Sequence, residues 1–61
     1  MLNFLLLPPS PQKLWLDKFR THLMRLQPGM NTLDAAHEAV SIYPDAADMD
    51  PEEAAEIFAL E

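Results

Sequence analysis

The chain has 61 residues, no cysteine, a net charge of −6 and 49% apolar residues. A chain of this length makes one domain of marginal stability, because it buries only about 60% of the surface that its unfolded form exposes. The absence of cysteine excludes a disulfide-bonded fold and any metal site built on thiolates. Small folds that lack disulfides and metals often gain stability from a second subunit, so we expect a homodimer.

The charges are unevenly distributed along the chain. All four basic residues lie between positions 13 and 25, whereas nine of the ten acidic residues follow position 30. A net negative charge disfavours nucleic-acid binding, which needs clustered cations to neutralise phosphates, and it disfavours adhesion to anionic membranes. It favours a basic protein partner instead.

Residues 1–9 form an apolar arm that ends in two prolines. The arm lacks the positive segment, the length and the cleavage site of a secretory signal, and it is too short to span a bilayer, so we expect a cytoplasmic protein. Its large apolar side chains either fold back over the helices or pack on another chain, and a leader segment is a third alternative. These side chains, which we take as candidate interaction residues, are Leu2, Phe4, Leu5, Leu6 and Leu7.

The first predicted helix follows this arm. Ser10 is a favourable N-cap and Pro11 then occupies the first helical position, where a missing N–H costs nothing. Residues 12–26 have helical periodicity, and Pro28 and Gly29 end the helix. The predicted buried face, which Leu16 and Met24 widen, consists of Trp15, Phe19, Leu23 and Leu26.

The second predicted helix begins at Asn31 or Thr32 and ends at Pro44. Two adjacent stripes of apolar residues run along it, and the alanines in them let another helix approach closely. One stripe comprises Leu33, Ala36, Val40 and Tyr43, and the other comprises Ala35, Ala39 and Ile42. The pattern leaves open which of them faces the core.

The third predicted helix covers residues 51–60. Asp50 caps it, Pro51 takes the first helical position, and Glu53 completes a capping box. Its predicted buried residues are Ala54, Ile57, Phe58 and, at its end, Leu60. Because the helix has barely three turns, we expect it to depend on tertiary contacts.

Residues that could carry chemistry are few. His22 and His37 are the only side chains with a near-neutral reference pKa, and a metal or sensor role would need them to join Asp34 and Glu38 from separate helices. No nucleophile motif occurs, and one glycine cannot build a phosphate-binding loop. We therefore expect no catalytic residue, no cofactor and no enzymatic activity.

The sequence as a whole predicts an all-α fold, a small bundle of three short helices spanning residues 10–61 with the apolar N-terminal arm, completed by dimerisation. The expected function is protein–protein interaction or assembly, in which the arm, Trp15 and Phe19 contact a partner or a second copy. An alternative is an acidic inhibitor or nucleic-acid mimic that binds a basic groove through Glu52, Glu53 and Glu56. Metal binding through the two histidines is the second alternative.

Overall fold

The computed structural model describes residues 10–60, which form three α-helices and no strand. The helices are α1 (Pro11–Leu26), α2 (Thr32–Ala46) and α3 (Pro51–Leu60). α1 packs against both of the others, whereas α2 and α3 contact each other only marginally. The all-α fold of three helices is thereby confirmed, while the arm lies outside the described residues and dimerisation stays a prediction.

The three helix starts follow from the capping residues that the sequence supplies. The side-chain oxygens of Ser10 and Asn31 each accept a hydrogen bond from the backbone N–H three residues later, at 3.1 and 2.8 Å. Asp50 accepts from the N–H of Glu52 at 2.9 Å, one residue earlier than the Glu53 N–H that a capping box uses. Each cap satisfies a backbone N–H that has no partner within its own helix.

The core combines large side chains of α1 with small ones of the other helices. Trp15, Phe19 and Leu23 are buried, as predicted, whereas Leu26 is nearly half exposed because it is the last residue of α1, where its face is no longer covered. The remaining buried residues are all alanines: Ala35, Ala39, Ala46, Ala54 and Ala55. Their small side chains let α2 and α3 approach α1 closely enough to contact its aromatic rings.

The structure distinguishes between the two apolar stripes of α2. Ala35 and Ala39 face α1, whereas Leu33 is 81% exposed and Val40 is 60% exposed. Leu33 and Val40 of the other stripe therefore face away from the core. The alanine stripe lets α2 approach the large α1 side chains closely, and Tyr43 of the same helix packs against the core beside it.

Pro44 does not end α2, which continues to Ala46. A proline inside a helix removes the hydrogen bond to the carbonyl four residues earlier, here that of Val40. Both Pro44 and Val40 are on the exposed side of α2, so water can hydrate the carbonyl that loses its partner. The connection to α3 is correspondingly shorter than predicted.

α3 packs through a different face from the one predicted. Ala54 is buried and Phe58 is partly buried, which confirms those two positions. Ala55 is fully buried although the sequence did not single it out, whereas Ile57 is nearly half exposed and Leu60 is 87% exposed. The helix turns its small residues towards α1, and this rotation moves Ile57 out of the contact.

Candidate interaction surface

Trp15 and Phe19 lie inside the domain and are absent from its surface. The Trp15 indole Nε1 donates a hydrogen bond to the carbonyl oxygen of Met49 at 2.8 Å, which ties α1 to the loop before α3. The Trp15 and Phe19 rings stack with centroids 5.3 Å apart. Tyr43 and Phe58 meet these two rings edge-on, at 5.2 and 6.0 Å. Both residues therefore stabilise the fold that presents the surface.

The large exposed apolar side chains of α2 lie on one side of the helix, which we call the α2 outer face. It consists of Leu33, His37, Val40 and Pro44, all exposed and spaced by four, three and four residues on one side of the helix. Leu33 and Val40 are large apolar side chains one heptad apart. Apolar residues with this spacing are typical of the contact between two packed helices.

The periodicity places Leu33 and Val40 in one of two apolar stripes and does not by itself identify them as surface residues. A signal for the correct assignment was present in the sequence. His37 and Pro44 share the angular position of Leu33 and Val40 on the helix, and a histidine and a proline mid-helix both suit a solvent-facing side.

A groove lies between α1 and α2, next to the outer face. Its cavity volume is about 350 Å³, within the range of about 300–1,000 Å³ that is typical of ligand clefts. Four apolar residues line it: Leu16, Ala36, Ala39 and Val40. The polar residues along this α1–α2 groove are Ser10, Gln12, Lys13, Asp17 and Arg20.

The charged side chains of the groove pair with each other. Asp17 accepts from Lys13 at 3.2 Å and from Arg20 at 3.5 Å. The hydrogen bond from Lys13, assisted by its charge and by Arg20, lowers the pKa of Asp17 below its ordinary value of 3.8. An occupant of the groove would therefore meet charges that already have partners.

The predicted acidic residues of α3, Glu52, Glu53 and Glu56, are all exposed. Glu52 lines a second, smaller cavity together with Lys18 and Arg25 of α1, and Glu56 contacts His22. Glu53 lies within about 100° of both residues around the helix. The carboxylates of Glu52 and Glu56 thus lie towards the basic side of α1.

The two histidines lie in different surroundings. The Nε2 atom of His22 is 3.1 Å from Glu56 Oε2, which links α1 to α3, while His37 lies on the α2 outer face. Within residues 10–60, no three His, Asp or Glu side chains are grouped so that they could hold a metal ion. The structure therefore offers the described histidines no shared ligand set with Asp34 and Glu38.

The five apolar arm residues proposed for interaction, Leu2, Phe4, Leu5, Leu6 and Leu7, lie outside the described residues. No helix in the described part of the chain is long and apolar enough to cross a membrane. Comparison of the chain with known protein families, curated proteins and solved structures finds no match. A functional assignment must therefore rest on the surface itself.

Proposed function

We propose that this protein is a non-enzymatic protein–protein interaction module that contacts its partner through the α2 outer face. The observation that supports this most directly is the exposure of Leu33 and Val40, one heptad apart, in a domain that uses alanine for most of its core. Burying such a side chain completely is worth about 1.5–3 kcal/mol, so the two together give a contact a useful apolar centre.

A rigid helix carries this surface. The opposite side of α2 is held against α1 by Ala35, Ala39 and Ala46, and the helix keeps its N-cap at Asn31. A partner that binds Leu33 and Val40 therefore has little backbone to order, which reduces the entropic cost of association.

The first partner to test is a second copy of the chain. Two α2 outer faces can pack about a two-fold axis, because an antiparallel pairing brings Leu33 of each chain towards Val40 of the other. Such a dimer would add apolar contact to a domain in which Phe19 and Leu23 are the largest fully buried side chains among residues 10–60.

The test is the molar mass in solution, measured by sedimentation equilibrium over a range of protein concentrations. We expect the full chain to self-associate and Leu33→Glu to be monomeric, because the substitution places a charge at the centre of the contact. Ser41→Glu is the matched control, since Ser41 is also exposed on α2 but lies outside the outer face.

Loss of self-association in both variants would point to a general effect of charge on α2. A full chain that stays monomeric, or a Leu33→Glu variant that associates as well as the full chain, would contradict the second copy as the partner.

A further inference from the structure

We infer that residues 2–7 of this chain bind in the α1–α2 groove of the same molecule. The inference concerns a different surface contact from the proposed function, because the groove lies beside the α2 outer face and shares only Val40 with it. It makes the groove a binding site for an extended apolar peptide that the chain itself supplies.

Residues 2–7 are long enough and close enough in the chain to reach the groove. Ser10 lines the groove and is also the N-cap of α1, so the preceding residues start at the groove itself. From Ser10 to Arg20 the groove extends along about 15 Å of helix, at about 1.5 Å per residue. Six extended residues cover about 20 Å, so the segment can run the length of the groove once it turns back along α1.

The segment and the lining of the groove are chemically matched. Residues 2–7 read LNFLLL, with five apolar side chains and no charge. The apolar lining of the groove offers Leu16, Ala36, Ala39 and Val40 to such side chains. Since Lys13 and Arg20 already pair with Asp17, an uncharged segment leaves no groove cation without a partner.

Two features reduce the entropic cost of binding the segment. Pro8 and Pro9 connect it to Ser10, and proline restricts the conformations of the unbound chain. Fewer states are therefore lost when the segment binds. An apolar segment tethered next to an apolar groove also has a high effective concentration there.

A folded-back segment would have a consequence for the outer face. It would cover Val40 but leave Leu33 open, so the segment and an external partner would compete for one part of α2.

The test uses a nitroxide spin label on the full chain. The chain has no cysteine, so Asn3→Cys gives a single labelling site and keeps every apolar side chain of the segment. We expect the label to broaden the amide NMR signals of Ala36 and Val40 more strongly than those of Glu53 and Ile57, which belong to α3 and do not line the groove. Equal broadening at all four positions, or none, would overturn the inference.

A mixed sample separates binding within a molecule from binding between molecules. Chains that carry the nitroxide but no ¹⁵N are mixed with chains that carry ¹⁵N but no nitroxide. Both kinds of chain carry Leu33→Glu, which removes the proposed contact between copies, and we then expect no broadening at Ala36 or Val40 in this mixture. Broadening at Ala36 or Val40 as strong as in chains that carry both the nitroxide and ¹⁵N would show that the segment binds a second copy. That result would overturn binding within one chain.

A pair of substitutions then tests the groove itself in the spin-labelled chain. Val40→Lys should abolish the selective broadening at Ala36, because it places a charge in the apolar lining. Ser41→Lys, an exposed neighbour outside the groove, should leave the broadening unchanged. Selective broadening that survives Val40→Lys would contradict the groove as the binding site. Because this readout needs no partner, its failure is distinct from a failure of Leu33→Glu to alter self-association.

Discussion

Individual leucines in this protein have opposite roles although their residue type is the same. Leu23 is fully buried between the helices, while Leu33 is among the most exposed apolar side chains of residues 10–60. Removing buried methyl groups costs both transfer free energy and the energy of the remaining cavity, whereas an exposed side chain loses little. The two positions therefore separate a contribution to folding from a contribution to binding.

We expect Leu23→Ala to lower the free energy of unfolding by about 2–5 kcal/mol and Leu33→Ala to change it by less than about 0.5 kcal/mol. The measurement is urea denaturation followed by helical circular dichroism, at a concentration at which both proteins are monomeric. At about 0.05–0.15 kcal/mol per residue, the whole domain has little stability to lose, so Leu23→Ala should be partly unfolded without denaturant. Equal losses in the two variants would contradict the assigned burial.

Asp17 is the residue whose charge the structure most clearly stabilises. Its pKa is lowered in the folded state by the hydrogen bond from Lys13, so its contribution to stability is present above the ordinary value of 3.8. That contribution is lost as the pH falls through the lowered pKa, because the folded state must then take up a proton that the unfolded state already holds.

We accordingly expect Asp17→Asn to reduce the loss of stability between about pH 5 and pH 2, measured by urea denaturation at each pH. Lys13→Gln removes the main cause of the shift and should reduce the acid sensitivity in the same direction. If the stability of Asp17→Asn and of the unsubstituted chain falls in parallel over this range, the ion pairs of Asp17 contribute nothing to folding.

At the scale of the helices, proline has two different effects. Pro51 occupies the first position of α3, where no backbone donor is lost, whereas Pro44 lies inside α2 and deprives the Val40 carbonyl of its usual donor. The sequence pattern treats both as helix boundaries. α2 continues past Pro44 because Pro44 and Val40 are exposed, and water can hydrate the Val40 carbonyl there.

The substitution Pro44→Ala should raise the free energy of unfolding by about 1–2 kcal/mol. The missing hydrogen bond is restored and helix propensity rises, while the greater freedom of the unfolded chain offsets part of the gain. Pro51→Ala, the matched control, should bring no gain. Thermal and urea denaturation measure both variants, and a destabilised Pro44→Ala would show that the proline shapes the packing of Ala46.

At the scale of the whole molecule, net charge and apolar surface act in opposite directions. Each copy carries a charge of −6, so two copies repel each other even where Leu33 and Val40 favour contact. Inside the molecule, part of the acidic charge is balanced where Glu52 and Glu56 lie near basic side chains and His22 of α1. Dissolved salt screens the remaining repulsion.

Self-association should therefore strengthen as the ionic strength rises from about 0.05 to 0.5 M, measured as the dimer dissociation constant by sedimentation equilibrium. Glu53→Lys exchanges a negative for a positive charge on the exposed side of α3, and it should reduce this salt dependence. Weaker association at high salt would indicate that ion pairs, and not the apolar face, hold the copies together.

The sequence by itself determined the number of helices, the caps of α1 and α3 at Ser10 and Asp50, the start of α2 to within one residue, and the buried face of α1 apart from Leu26. These features depend on local rules of capping and periodicity, which act over a few residues. The choice between the two stripes of α2, the rotation of α3 and the continuation through Pro44 were decided only by the tertiary structure. The reason is complementary volume: the side of α2 that packs against the large α1 side chains carries Ala35, Ala39 and Tyr43, and this turns Leu33 and Val40 outwards, where they become available to another surface.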